Sequence, residues 1–405
     1  MNMSTREPFH ITSRFLIAIF LAFMLIGAAT FIFQASGDHP EKAWQTYLIN
    51  FLMFSAMAQG GLLFSVVMNT VNARWSRSLD TVSESFAAFF PVSFLLFLIL
   101  FLGSGHVFPW LHDDLHGKEV WLNLPFLFIR DAIGMLVLYL LGLAYLYHSL
   151  WFKLSSDSRG GPFKRLLIRH WTTHSPDPDT FRRRMTLYGN LYILAFTLVL
   201  SLIGFDLVMS MDPHWYSTLF GAYTFVKAFY VGLGAVIILA AILHLNRQVG
   251  FEVRPSQFHD IGKLFFAFCM VWGDFFYVQL VVIWYGNIPE ETAYLIQRTM
   301  IPPWNILAWT VFLIGFILPF LILINKQIKT MPKAMIMICL TVIVAIWLEH
   351  ALLLGPVYAP DAGRLPFQVI DILISMGFLG LMAFSIATFF NQFPELITRK
   401  PEEVS

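Results

Sequence analysis

The chain has 405 residues, of which 58% are hydrophobic and only 13% charged, with a formal net charge of +1. Soluble domains carry about 25% charged residues, so this composition, with a mean hydropathy of +0.69, excludes a soluble globular domain and indicates an integral membrane protein. No basic tract interleaved with aromatics supports nucleic-acid binding. The two cysteines, Cys269 and Cys339, form no CxxC, haem-attachment or iron–sulfur spacing and read as small buried hydrophobes.

About 20 apolar residues span a bilayer. Ten stretches meet that test: 14–34, 45–70, 84–104, 125–152, 187–210, 219–245, 260–286, 304–326, 332–354 and 369–391. The first is too long for the apolar core of a cleaved signal peptide and reads as a spanning helix. Pro91, Gly142, Gly204 and Pro319 fall inside spans, where membrane helices tolerate them. No strand-like alternation occurs, so a membrane β-barrel is excluded. The predicted fold is an all-α integral membrane protein of ten transmembrane helices.

The connections are asymmetric in charge. Twenty lysines and arginines fall on the side of the termini, from Arg6 through the basic 153–186 loop to Arg399 and Lys400, against four on the other side. By the positive-inside rule both termini are cytoplasmic. The 153–186 loop carries Lys164-Arg165 and Arg182-Arg183-Arg184, with turn residues at Ser175-Pro176-Asp177-Pro178-Asp179. It reads as an anchor on anionic headgroups of membrane lipids, or else as a docking loop for a partner.

Segments 2–5 and 6–9 run in the same directions. Gln59-Gly60-Gly61 and Gly232-Leu233-Gly234 sit at similar depth in segments 2 and 6, each followed by an arginine, Arg74 or Arg247. This weak repeat predicts two four-helix bundles, helices 2–5 and 6–9, flanked by helices 1 and 10. The corresponding divisions are 1–44, 45–210, 211–354 and 355–405.

Charged residues within spans are costly and are functional candidates by default. A rise of about 1.5 Å per residue puts Arg130, Asp131, Asp206, Lys227, Glu349 and His350 in the outer part of the membrane. Gln59 and Asp274 fall near mid-depth, and Asn69, Glu84, His148, His244 and Asp260 lie toward the cytoplasmic end. Asp206 and Lys227 flank the polar connector Asp212–Tyr216, across which they are expected to neutralise one another. Asp274, isolated mid-helix, must be protonated, paired or water-lined. A quinol site needs a proton acceptor for each hydroxyl beside an apolar slot, which His106, Arg130, Asp131 and Asp206 supply at one depth. A bis-histidine haem would need facing pairs, and only His148 and His244 match in depth. No metal-binding cluster and no catalytic residue stands out.

Four strings carry a resemblance: WLNLPFLFIR (Trp121–Arg130), FDLVMSMDPHWYSTLFG (Phe205–Gly221), FHDIGKLFFAF (Phe258–Phe268) and IWYGNIPEET (Ile283–Thr292). They resemble the NrfD/PsrC-like membrane subunits, in particular the ActF-type subunit of alternative complex III, a bacterial quinol:electron-acceptor oxidoreductase. The resemblance covers nearly the whole chain. It implies two four-helix bundles with no redox centre or covalently bound cofactor of their own, in a bacterial inner-membrane complex. The implied partners are a sister NrfD-like quinol-binding subunit, an iron–sulfur subunit and multihaem cytochrome c subunits, and the implied ligand is menaquinol or ubiquinol. In the family pattern the position of Asp274 is usually aromatic and that of Val278 usually Ser, so the seventh helix departs from it.

The leading expectation is a quinone-associated, proton-conducting subunit. Lys227, His244, Asp274, Glu349 and His350 form the candidate proton path, and His106, Arg130, Asp131 and Asp206 the candidate quinone pocket. A purely structural membrane anchor for the sister subunit is the alternative, and a secondary transporter with same-direction repeats is a third reading.

Overall fold

The computed structural model describes residues 14–112, 115, 117–154, 160–174, 177–359 and 362–398, so Arg6, Arg399, Lys400 and the Ser175-Pro176 turn lie outside the described residues. Among the described residues ten helices are long and apolar enough to cross a membrane: α1 Arg14–Ala35, α2 Pro40–Thr70, α3 Arg77–Leu102, α4 Leu124–Lys153, α5 Pro178–Met211, α6 Leu219–Leu245, α7 Pro255–Gly286, α8 Trp304–Leu323, α9 Pro332–Tyr358 and α10 Val369–Gln392. No strand occurs among the described residues. The chain is an all-α, multi-pass membrane protein, as its composition predicts.

Local chemistry sets the helix ends. Proline stands in the first turn of α2, α4, α5, α7 and α9, where its missing N–H costs nothing. The Asn123 and Asp177 side chains cap α4 and α5 by accepting from the amides of Phe126 (3.3 Å) and Thr180 (2.9 Å). Hydrogen bonds from the Thr180 hydroxyl and amide hold the Asp177 carboxyl below the usual aspartate range. Two interior prolines accompany local distortions: α3 tightens to a 3-10 turn over Ser85–Phe89 just before Pro91, and α8 widens to a π turn over Leu313–Ile317 just before Pro319. The break in α3 directly follows Glu84.

Two helices form the centre. Of the most apolar window of each span, 89% is buried in α2 and 72% in α6, against 6% in α1 and 22% in α7. α2 crosses α6 where Gly60 meets Gly232. A Cβ on Gly60 would stand 2.1 Å from the Ala228 carbonyl oxygen, and one on Gly232 would stand 2.3 Å from the Gly60 carbonyl carbon. Glycine is required there because backbone meets backbone. The two glycine motifs that suggest a repeat are thus each other's packing partners. α3 and α5 pack on α2, α7 and α9 pack on α6, α4 lies on α5 and α8 on α9, while α10 joins α1 to α2 and to the start of α3.

The basic loop contains a helix, Pro162–His174, and its charges divide. Lys164 is buried and bonds Glu395 at 3.1 Å, while Arg165, Arg169 and Arg182–Arg184 are exposed. The Gly161 amide donates to the Gln392 carbonyl (3.0 Å) and the Phe163 amide to the Gln392 side chain (3.2 Å). The loop is therefore seated on the end of α10. This face is the loop end of the protein, and the face carrying the α5–α6 connector is the hairpin end.

Candidate functional site

α6 places Tyr223 and Lys227 one turn apart on a single face, opposite Glu349 and His350 of α9. Glu349 is fully buried. Its Oε1 accepts from Lys227 Nζ at 3.0 Å and from the Tyr223 hydroxyl, and its Oε2 accepts from Trp272 Nε1 at 3.2 Å. Lys227 is 4% exposed, and its ammonium lies 5.0 Å from the Tyr223 ring centroid. A buried ion pair persists only when its remaining hydrogen-bond capacity is used, and here three donors converge on one carboxylate. His350 Nδ1 donates to the Ile346 carbonyl at 2.8 Å, which fixes the ring and leaves Nε2 as the nitrogen that can take up a proton.

The expected Asp206–Lys227 pair does not form. Asp206 of α5 is fully buried and receives Arg130 of α4 in a fork, Nε to Oδ2 and Nη2 to Oδ1, both at 2.6 Å. Trp121 Nε1 adds a third bond to Oδ1 at 2.9 Å, and the Trp121 ring lies 3.9 Å from the guanidinium carbon. The physical reason is geometry: the planar guanidinium matches a carboxylate with two parallel bonds, which an ammonium cannot do. Asp131 is also fully buried and faces Asp206. One guanidinium thus stands against two carboxyl groups.

Between α2, α3 and α4 runs a series of small polar groups outside the candidate proton path and the candidate quinone pocket. Gln59 Nε2 donates to Ser55 Oγ (2.9 Å) and to the Tyr139 hydroxyl (3.0 Å), which also meets Ser93 Oγ at 2.8 Å. Six residues further along both helices, about 9 Å, the pattern recurs: Ser65 Oγ meets the Tyr145 hydroxyl at 3.0 Å. There Glu84, fully buried, accepts from Ser65 (3.1 Å), Ser149 (2.6 Å) and Lys153 Nζ (2.8 Å). Lys153 is partly exposed at the loop end. The available signal was helical spacing: Ser55 and Gln59, then Ser65 and Asn69, each pair four apart in the most buried span.

A cavity of about 30 Å³ separates the Gln59 group from the Lys227–Glu349 group. Lys227, His350, Gln59, Ser55 and Thr224 line it among apolar side chains. Gln59 Oε1 is buried and has no partner. A cavity needs about 10–15 Å³ and two or more polar partners to hold a water, so this one suits about two waters. It is too small for a quinone ring.

Other candidates lie apart. His106 is exposed, 3.9 Å from Glu41 at the start of α2. His244 lies at the loop end, where its Nδ1 accepts the Val253 amide at 3.2 Å. His148 donates to the Ala144 carbonyl at 2.7 Å and packs against Phe181. Asp274 is exposed, because the neighbouring Trp272 and Gly273 take the inward face of α7. The candidate ladder therefore reduces to Lys227, Glu349 and His350, joined by Tyr223 and Trp272, and the candidate pocket to Arg130, Asp131 and Asp206, joined by Trp121.

At the hairpin end the DPHWY string meets the short helix Pro289–Thr299, which begins in the IPEET string. Trp215 stacks on Tyr294 at 3.9 Å and 7°, and Arg298, itself buried, lies 3.7 Å from Asp212 while donating to the Tyr294 and Leu353 carbonyls. Burial, opposed by Arg298, pushes the Tyr294 hydroxyl up to about 12, and burial lowers the Arg298 guanidinium.

No family model matches the chain, and no curated protein matches it. Among the described residues no group of three or more His, Cys, Asp or Glu is placed to hold a metal ion.

Proposed function

We propose that this chain is the proton-conducting membrane subunit of a respiratory quinol-oxidising complex of the alternative complex III type, resident in a bacterial inner membrane with both termini cytoplasmic. The observation that carries this reading is the water-sized cavity joining two buried polar groups, with the unpartnered Gln59 Oε1 on one side and Lys227 and His350 on the other. In this reading protons enter at Lys153 and Glu84 and pass the Ser65–Tyr145 and Gln59–Tyr139 groups. They then cross the cavity waters to His350 and reach the Lys227–Glu349 pair. Hydroxyls and waters relay protons by exchanging donor and acceptor roles, and buried carboxyl and imidazole groups hold them.

The quinone half of the reading attaches to Arg130, Trp121 and Asp206 at the hairpin end. Their ion pair is complete without a ligand, so a quinol headgroup would meet this chain from the lipid or partner side of the half-exposed Trp121, not inside it. The sister, iron–sulfur and multihaem cytochrome c subunits would carry electron transfer.

The test uses the complex purified from native membranes and reconstituted in vesicles, with proton release read per electron. Gln59→Met keeps the volume and removes the relay; Glu84→Gln removes the entry carboxylate. Both are expected to abolish net proton transfer while quinol oxidation continues. Unchanged proton-to-electron ratios in both variants would overturn the reading in favour of a structural anchor.

A further inference from the structure

Glu84, Asp131, Asp206 and Glu349 are buried carboxylates within the membrane spans, and Glu84, Asp206 and Glu349 are bonded to cations. Asp274 differs on both counts. It is exposed and makes no hydrogen bond or ion pair among the described residues.

Its depth follows from α7 itself. Trp284 and Tyr285, 70% and 85% exposed, lie at the hairpin end of the helix, where such aromatics sit at the membrane interface. Asp274 is ten residues before them, about 15 Å, half the thickness of the hydrocarbon layer. No side chain snorkels from the midplane over that distance on a single methylene. The exposed stripe Ala267, Met270, Val271, Asp274 and Tyr277 follows helical spacing along one face. The opposite face buries Phe265, Cys269, Trp272 and Gly273.

A carboxylate presented to lipid at mid-depth has no stable surroundings until something covers it. We infer that the α7 face centred on Asp274 is an intramembrane interface for a different transmembrane chain, one whose contacting helix sets a lysine, arginine or histidine against Asp274. Charge complementarity selects this occupant. A second copy of the chain meets it poorly: a two-fold interface brings the same face to both sides, setting carboxylate near carboxylate. The two cations that this chain holds within spans at the hairpin end, Arg130 and Lys227, are already committed to Asp206 and Glu349. The inference stands independently of proton conduction.

The experiment places a photo-crosslinking residue at Tyr277, one turn from Asp274, in the full-length chain in native membranes. A matching probe at Leu25 of α1 serves as the comparison. The expected result is one heterologous adduct from Tyr277 and not from Leu25, whose crosslinked peptide lies in a membrane span bearing a basic residue. Asp274→Lys is expected to lower its yield at least tenfold, and changing the mapped basic residue to Asp in the partner is expected to restore it. Asp274→Asn, which removes the charge with little change of shape, is expected to lower the yield at least threefold and guards against failure of the lysine variant to insert. Lipid adducts alone, an adduct to a second copy, a mapped span without a basic residue, or a yield unmoved by Asp274→Asn would each overturn the inference.

Discussion

The Lys227–Glu349 pair offers the sharpest energetic test of this interior. Lys227→Met removes the ammonium and leaves Glu349 fully buried with only the Tyr223 hydroxyl and Trp272 Nε1 as donors. Glu349→Gln leaves the ammonium of a 4%-exposed lysine without its carboxylate. Breaking one side of a buried pair costs about 3–5 kcal/mol, because the surviving charge is stranded in low dielectric. The double variant strands neither charge and keeps an amide oxygen for the Tyr223 hydroxyl. Its loss is therefore expected near that of one imperfect hydrogen bond, about 1–2 kcal/mol. The coupling between the two sites then exceeds about 3 kcal/mol in a double-mutant cycle. Equilibrium unfolding in mixed micelles, followed through the 12 tryptophans, reads all four corners. Strictly additive losses, with coupling below about 1 kcal/mol, would refute the argument that the pair is desolvated and mutually dependent.

Three further outcomes follow from other parts of the structure. Gly60→Val drives a branched side chain into the Ala228 carbonyl oxygen, which lies only 2.1 Å from where the Cβ must stand. Backbone cannot move aside as a side chain can, so a loss of at least about 3 kcal/mol is expected. Size-exclusion profiles should show collapse of the folded fraction, while Gly105→Ala, with nothing within 4 Å of its Cβ, stays wild-type. Arg130→Lys exchanges a forked, stacked contact for a single one and is expected to lower stability by about 1.5–3 kcal/mol, read as a shift in thermal midpoint. The Tyr294 hydroxyl, pushed up to about 12 from an ordinary 10.0, binds its proton more tightly in the folded state. Its stabilising contribution is intact below the ordinary tyrosine value and lost as pH rises through the folded one. Tyr294→Phe should flatten that alkaline decline, and an identical decline in the variant would assign it elsewhere.

How much of the candidate site was legible in the sequence depends on what each side chain needed. Glu349 and His350 could be placed from depth alone, because consecutive residues near the end of an apolar span have few other locations. Glu84 was visible as a charge yet undistinguished, since near a helix end a carboxylate can be solvated. Only the break in α3 and the approach of Ser149 and Lys153 turn it inward. Tyr139 and Tyr145 carried no signal, as tyrosine in an apolar span is ordinary until a partner meets its hydroxyl. Asp206 and Lys227 share a hairpin, and proximity in sequence suggested a pair. The structure instead gives each the partner whose geometry fits.

The amino-acid sequence by itself determined the class of solvent, the number of crossings and the approximate helix limits. Those follow from transfer of apolar side chains and from the need to bond every backbone group within its own helix, both local properties of each segment. Tertiary structure alone decided which face of each helix turns inward. Every span here is apolar nearly all round, so hydropathy does not distinguish lipid from protein as surroundings. The close approach of Gly60 and Gly232, the fork between Arg130 and Asp206 and the outward turn of Asp274 are matters of rotation and distance between helices. Those are fixed by packing of groups far apart in the chain, and no pattern along a single segment encodes them.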